Sequence, residues 1–397
     1  MKGLTMWAVA SAALAATSAG CGVTEVTTDE LTAVVQRDGV AFVGESIPAG
    51  VVDRLASHRL VIIGETHLLW EHRAFLARLV EELHARGFRQ LLLEYPQMAD
   101  WLLNDYARNG PLYPDWAPSI ALLGGLIEPI RAFNSTIPAD EQIEVRGIDV
   151  NLRDYGGAGA FMDLMAAVSE HLGDPGPVPG FLARAYDSPQ AQIVSLETLQ
   201  TELATRENEL TASWGTQWFA TVVEMVEVEL VSIGVRAVRD DDYDRSVRVR
   251  EDEMKRIADL RLANYAFRSV INVGGNHAQK EYLKGTKQEW LGDYLVNQST
   301  VVGGSVFVVG VSAARIMASS GGSNPVYDIM NESPANELWR TMTEVWPGET
   351  VFLPLDDPMF LDGGIPVNFE DKIFVCALKK QYDAVVQYPV ANRVPLN

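Results

Sequence analysis

Seven short apolar runs punctuate this chain, and stretches of helical period separate the earlier ones. The runs are LVIIG (60–64), RQLLLEY (89–95), QIEVRGID (142–149), SVINVGG (269–275), SVFVVGV (305–311), TVFLPL (350–355) and YDAVVQYP (382–389). Apolar residues on consecutive positions mark strands buried on both faces, as in a parallel sheet covered by helices. After the first run, Phe75, Leu76, Leu79, Val80 and Leu83 recur at helical spacing from about Glu71 to Arg86. Gly87 follows where a helix-ending glycine belongs. Helical sequence resumes at about 97–108 and 119–136. This rhythm predicts an α/β fold, a mostly parallel sheet flanked by helices.

The middle of the chain breaks the rhythm. Strand signals vanish from about 158 to 266. GDPGPVPG (173–180) reads as a loop, and Ser188-Pro189 offers an N-cap and a first-turn proline. Two long helices are expected at about 190–208 and 212–237, and a third from the acidic run at 240–244. Trp214, Trp218, Met225 and Val228 form a core stripe. The block is a large helical insertion between the third and fourth core strands, suited to act as a lid. Ser333-Pro334 opens a further short helix through Glu337 and Met342. The expected organisation is a signal peptide over 1–20, a lipidated tether and lead-in over 21–50, and the first part of the α/β domain over 51–155. The insertion follows over 156–266 and the second part of the domain over 267–397.

The amino terminus has its own character. Lys2, an Ala-rich apolar stretch and then small residues make a secretory signal, too short for a comfortable membrane span. Ser18-Ala19-Gly20-Cys21 resembles a bacterial lipobox, with Ser18 where leucine is usual, so Cys21 is the expected lipidation site. Gly22 after the cysteine points to the outer membrane. The expected location is the cell envelope, lipid-anchored and facing periplasm or exterior. Cys376, in the strand-like KIFVCAL, then has no disulfide partner. Acidic residues outnumber basic ones by 53 to 32, giving −21, and no basic run is interleaved with aromatics. Nucleic acid is therefore not an expected partner.

Chemistry concentrates at the ends of the strands. LVIIG runs straight into Glu65 and His67, RQLLLE ends on Glu94, EVRGID on Asp149, and INVGGN is followed by His277. Open parallel sheets bind ligands at their carboxyl edge. No nucleophile elbow, phosphate loop, H-E-x-x-H helix or cysteine-protease signature occurs. What remains is a histidine and carboxylate site. A histidine oriented by a glutamate can act as general base on water. Alternatively, Glu65, His67, Glu94 and His277 are suitable ligands for a divalent transition metal.

These motifs resemble the superfamily of erythromycin esterases, ChaN-like haem-binding lipoproteins and Tiki/TraB proteins. The likeness rests on G-E-T-H (64–67), L-L-L-E (91–94), G-I-D (147–149), R-E-D-E-M (250–254), V-G-G-N-H (273–277) and Y-D-A-V-V (382–386). They occur in the family's order across nearly the whole chain. By analogy with the esterases, the resemblance implies His67 as general base, assisted by Glu65, with Glu94 and His277 completing the site. It implies Arg250 as the arginine that steadies an oxyanion or a carboxylate; Glu251 stands where the esterases carry aspartate. The G-E-x-H spacing is similar to the ChaN-like group, and so is His72, five residues after His67, which would make His67 and His72 haem ligands. The Tiki branch would imply a metal-dependent peptidase.

Three readings follow. The leading one is a membrane-anchored hydrolase that activates water against an ester, lactone or amide, acting on a small molecule or peptide. The second is a haem- or metal-binding lipoprotein without turnover. An exposed His72 beside His67 would favour it, and a buried one would remove that support. The third is an inactive surface interaction domain.

Overall fold

The computed structural model describes residues 24–44, 46–112, 117–152, 157–172, 174, 176–184, 188–263, 265–281, 289–318, 325–328, 337–369, 372–376 and 378–394. The signal segment, Cys21 and Ser333-Pro334 lie outside the described residues.

Eight strands form the central sheet: β1 (Val40–Phe42), β2 (Leu60–Glu65), β3 (Phe88–Pro96), β4 (Glu144–Asp149), β5 (Arg268–Gly274), β6 (Val306–Ala313), β7 (Thr350–Pro354) and β8 (Ala384–Tyr388). Their spatial order is β1-β7-β8-β6-β2-β5-β3-β4. The six from β8 to β4 are mutually parallel. Strand β7 runs antiparallel to β8 and to β1. All seven apolar runs are thus strands of one sheet.

The helices follow in chain order. Four precede or flank the first strands: α1 (Thr28–Asp38), α2 (Ala49–Ala56), α3 (Trp70–His84) and α4 (Asp100–Ala107). Helix α5 (Ala117–Asn134) leads to β4. The insertion comprises α6 (Gly157–His171), α7 (Val178–Leu182), α8 (Pro189–Thr205), α9 (Glu207–Trp214), α10 (Thr216–Arg239) and α11 (Tyr243–Ala263). It lies between β4 and β5, the third and fourth of the expected core strands. Ser188 caps α8 by accepting from the Ala191 amide at 3.2 Å. Gly215, at φ +81°, breaks the expected second long helix into α9 and α10. The last helices are α12 (Gly275–Ala278), α13 (Leu291–Asn297), α14 (Glu337–Val345) and α15 (Met359–Asp362).

Side-chain alternation along each strand builds two cores. Val61, Ile63, Leu91 and Leu93 point to the side covered by α2, α3 and α5. Leu60, Ile62 and Leu92 point to the other side, against Met254 and Ile257 of α11 and Leu291 of α13. Both faces are apolar, so the runs read as continuous. Each fully buried leucine or isoleucine here is worth about 2–5 kcal/mol against alanine.

The lead-in differs from expectation. Residues 28–42 are not a loose tether but α1 and β1. Thr27 and Glu30 form a capping box, and Leu31, Val34 and Val35 pack on α14 and β7. Their spacing, one helical face, is the signal that marks them as part of the domain. Among the described residues no helix is long and apolar enough to cross a membrane.

Candidate active site

Strand order sets the site. The chain leaves β2 for β3 and β4 on one side, then returns to place β5 beside β2, and continues with β6 on the other side. The carboxyl ends of β2, β3, β4 and β5 therefore adjoin where the sheet changes direction, the usual ligand position in such sheets.

Glu65 ends β2 and His67 follows. The loop then passes through Leu68 at φ +62°, a region that a branched side chain rarely adopts. The end of the chain holds it there. The Val394 amide donates to the Leu68 carbonyl at 2.8 Å, and Leu69 bridges Arg393. Glu71 accepts from the Asn392 amide at 2.7 Å and from its side chain at 2.6 Å.

His67 places Nδ1 at 3.0 Å from Glu65 Oε1 and Nε2 at 3.9 Å from Glu94 Oε2, and its side chain is 56% exposed. Its other neighbour is Gly274. A Cβ at that position would lie 2.7 Å from His67 Nε2, so a side chain there would push the imidazole outward. The hydrogen bond to Glu65 raises the His67 pKa above the ordinary histidine value, against the opposing effect of burial. Burial works against charge on Glu65. Hydrogen bonds from His67 and His72 outweigh it and hold the carboxyl well below the usual range.

Glu94, from β3, lies between the two histidines of the site. Its Oε2 accepts from the Gly274 amide at 2.6 Å, and its Oε1 accepts from Arg250 and faces His277 Nε2 at 3.4 Å. Arg250, on α11, also grips Asp149 with two bonds, Nε to Oδ1 at 2.8 Å and Nη2 to Oδ2 at 2.6 Å. His277, on α12, pairs Nδ1 with Glu251 Oε1, and its side chain is only 8% exposed. The other oxygen of Glu251 accepts from the Leu291 amide at 2.9 Å. Burial disfavours the His277 cation, but Glu251 and Glu94 prevail and push its pKa up to about 10. Glu94 is likewise held well below the carboxylate range: burial opposes its charge, and His277, Arg250 and His67 overcome that.

The structure thus brings Glu65, His67, Glu94, Arg250 and His277 together. Three expectations change. His72 is 1% exposed and turned into the sheet; its Nε2 lies 2.7 Å from Asn272 Oδ1 and 3.0 Å from Glu65 Oε2, and its Nδ1 3.3 Å from the Tyr388 hydroxyl. It is not placed to ligate haem. Second, the metal set does not converge. Among the described residues no group of three or more His, Cys, Asp or Glu side chains is arranged to hold a metal. The reason is local: the Arg250 guanidinium stands between Glu94 and Asp149, and both Glu94 oxygens are already engaged. Third, Arg250 directs Nε and Nη2 at carboxylates, so it orients Glu94 rather than reaching outward for an oxyanion.

Sequence reasoning missed partners as well. Glu251 was only a variant of a motif, yet it fixes His277. Asn272, a polar residue inside the run SVINVGG, donates to Glu65 Oε2 at 2.9 Å. That break in an apolar strand was the available signal. Nothing local marked Tyr388.

Strand order and helical cover define a mostly parallel α/β fold with a histidine–carboxylate cluster at its carboxyl edge. No protein-family model matches the chain, and no curated protein does. Solved structures share the fold. A Bacillus cereus protein aligns at TM-score 0.67 and 16% identity, covering 94% of this chain and all of its own length. A succinoglycan biosynthesis protein aligns at TM-score 0.67 and 14% identity, covering 93% of this chain and 99% of its own. A variant of the erythromycin esterase EreC, in its open conformation, aligns at TM-score 0.64 and 16% identity, covering 87% of this chain and 94% of its own. At these identities the likeness establishes the fold.

Proposed function

We propose that the chain is a hydrolase in which His67 activates water against an ester, lactone or amide. The observation that carries this reading is the setting of His67. Glu65 holds Nδ1, while Nε2 stays accessible beside Glu94 and the bare backbone of Gly274. A water at hydrogen-bond distance from both Nε2 and Glu94 Oε2 fits their 3.9 Å separation. His67 takes one proton of that water, and the hydroxide attacks the carbonyl carbon. Collapse of the tetrahedral intermediate breaks the bond to the leaving group, which receives the proton back from Nε2. The esterase likeness supports the reaction class.

The amino-terminal sequence supports attachment to the cell envelope through lipid at Cys21. Labelling with a radioactive fatty acid should mark the chain and not Cys21→Ala; label in both would reject the anchor.

The deciding experiment is an ester, lactone and amide screen with His67→Ala beside the wild type. Loss of about 10²- to 10⁴-fold in kcat, the usual share of a general base, is expected with an unchanged melting curve. Full activity in the variant would reject the assignment.

A further inference from the structure

We propose that His72 and Tyr388 are positioning residues: with Glu65 they form a one-directional hydrogen-bond line that fixes the tautomer in which His67 offers Nε2 as base. The inference rests on the reading of His67 as base, and its direction follows from counting donors and acceptors.

The line starts at the Tyr388 hydroxyl, which is buried. Its one hydrogen-bond partner among the described residues is His72 Nδ1, at 3.3 Å. If Nδ1 carried a proton, the phenol would accept it, and the hydroxyl hydrogen would be left without an acceptor. A buried unmade hydrogen bond is costly. The arrangement that satisfies both groups has Tyr388 donating to Nδ1. The His72 proton then sits on Nε2.

That Nε2–H points between Asn272 Oδ1 at 2.7 Å and Glu65 Oε2 at 3.0 Å. Asn272 admits one orientation only. Flipped, its oxygen would face Glu65 Oε2 at the 2.9 Å now taken by its amide, and its amide would face the His72 N–H. A carboxylate accepts only, so Glu65 Oε1 takes the proton of His67 Nδ1 at 3.0 Å. His67 is left with its lone pair on Nε2, on the solvent side.

The surrounding charges agree. Burial, with Glu65 and Glu71 nearby, pushes the Tyr388 pKa well above its ordinary value, so the phenol stays a donor. Glu65 is faced by His67 and His72, with Arg73 at longer range. His67 is faced by Glu65, Glu94 and His277.

Nitrogen-15 NMR of the full chain labelled at histidine reads the tautomers directly and needs no substrate. In the neutral forms, His67 should carry its proton on Nδ1 and His72 on Nε2. Tyr388→Phe removes only the hydroxyl and keeps the ring contact with Phe75, whose centroid is 5.9 Å away. His72 Nδ1 should then lose the shift its donor imposes, while Asn272 and Glu65 keep the proton on Nε2, and kcat should fall about three- to tenfold with KM unchanged, the worth of one neutral hydrogen bond. His72→Gln should lower kcat about ten- to a hundredfold, again at constant KM, because the lost bond is to a charged group. Tyr388→Phe decides the matter should His72→Gln not fold. A His72 protonated on Nδ1 in the wild type would overturn the proposal. So would Tyr388→Phe with native kcat and an unchanged histidine spectrum. If the chain hydrolyses nothing, the base assignment fails by itself while the spectra still judge the line.

Discussion

The two sides of Glu94 carry the same parts and behave differently. At the end of β2, His67 has a glutamate on Nδ1 and Glu94 facing Nε2; at the end of β5, His277 has the same pair. Yet one imidazole is 56% exposed and the other 8%. Exposure lets His67 exchange protons with solvent. Enclosure between two carboxylates makes His277 a standing cation. The same residue types and the same glutamate pairing thus occupy two settings, which differ in access to water and in the Arg250 guanidinium 3.5 Å from His277 Nε2.

The sharpest way to break this comparison is to remove each ring in turn. His277→Ala leaves Glu251 and Glu94 buried without their shared partner, which should cost about 3–5 kcal/mol in urea unfolding. His67→Ala should stay within about 0.5 kcal/mol of wild type, as exposed positions do. Equal losses would dissolve the distinction.

The pH dependence of stability tests the same point more gently. An unfolded histidine releases its proton near pH 6.5, whereas folded His277 keeps its proton up to about pH 10. The stabilisation is therefore complete below about 6.5 and lost as pH rises through about 10. Unfolding midpoints should fall across that window, and His277→Gln should flatten the fall.

On the exposed side, Glu65 raises the His67 pKa, so the acid limb of kcat/KM should lie above the ordinary histidine value. In Glu65→Gln that limb should move to lower pH, and an unmoved limb would separate Glu65 from the base. The smallest effect is expected from Gly274→Ala, whose methyl meets a ring that can swing outward. Activity should drop about tenfold or less, with unfolding changed by under about 1 kcal/mol.

Much of this arrangement was legible in the chain. Strand runs buried on both faces announced themselves by continuous apolar residues, and the polar residues after four of the runs marked the carboxyl edge. Helix α1 and Asn272 carried local signals, an apolar helical face and a polar break in an apolar strand; the rest of what escaped had none. Strand β1 is three residues long and pairs only at the edge. His72 looked like a second ligand because spacing gives separation along the chain, not which way a helix turns it. Residues Glu251 and Tyr388 are set against their histidines by packing across 26 and 316 positions.

The clasp between the chain's end and the loop after His67 has a further consequence. Asn392, Arg393 and Val394 grip residues more than three hundred positions earlier, at Leu68 to Glu71. Contacts of such separation form late, after nearly all of the chain is available. A chain folded as far as β8 would hold every residue of the histidine–carboxylate cluster and still lack the contacts that fix the loop after His67. Cleavage just before Asn392 would release the loop after His67 while the central sheet keeps its eight strands.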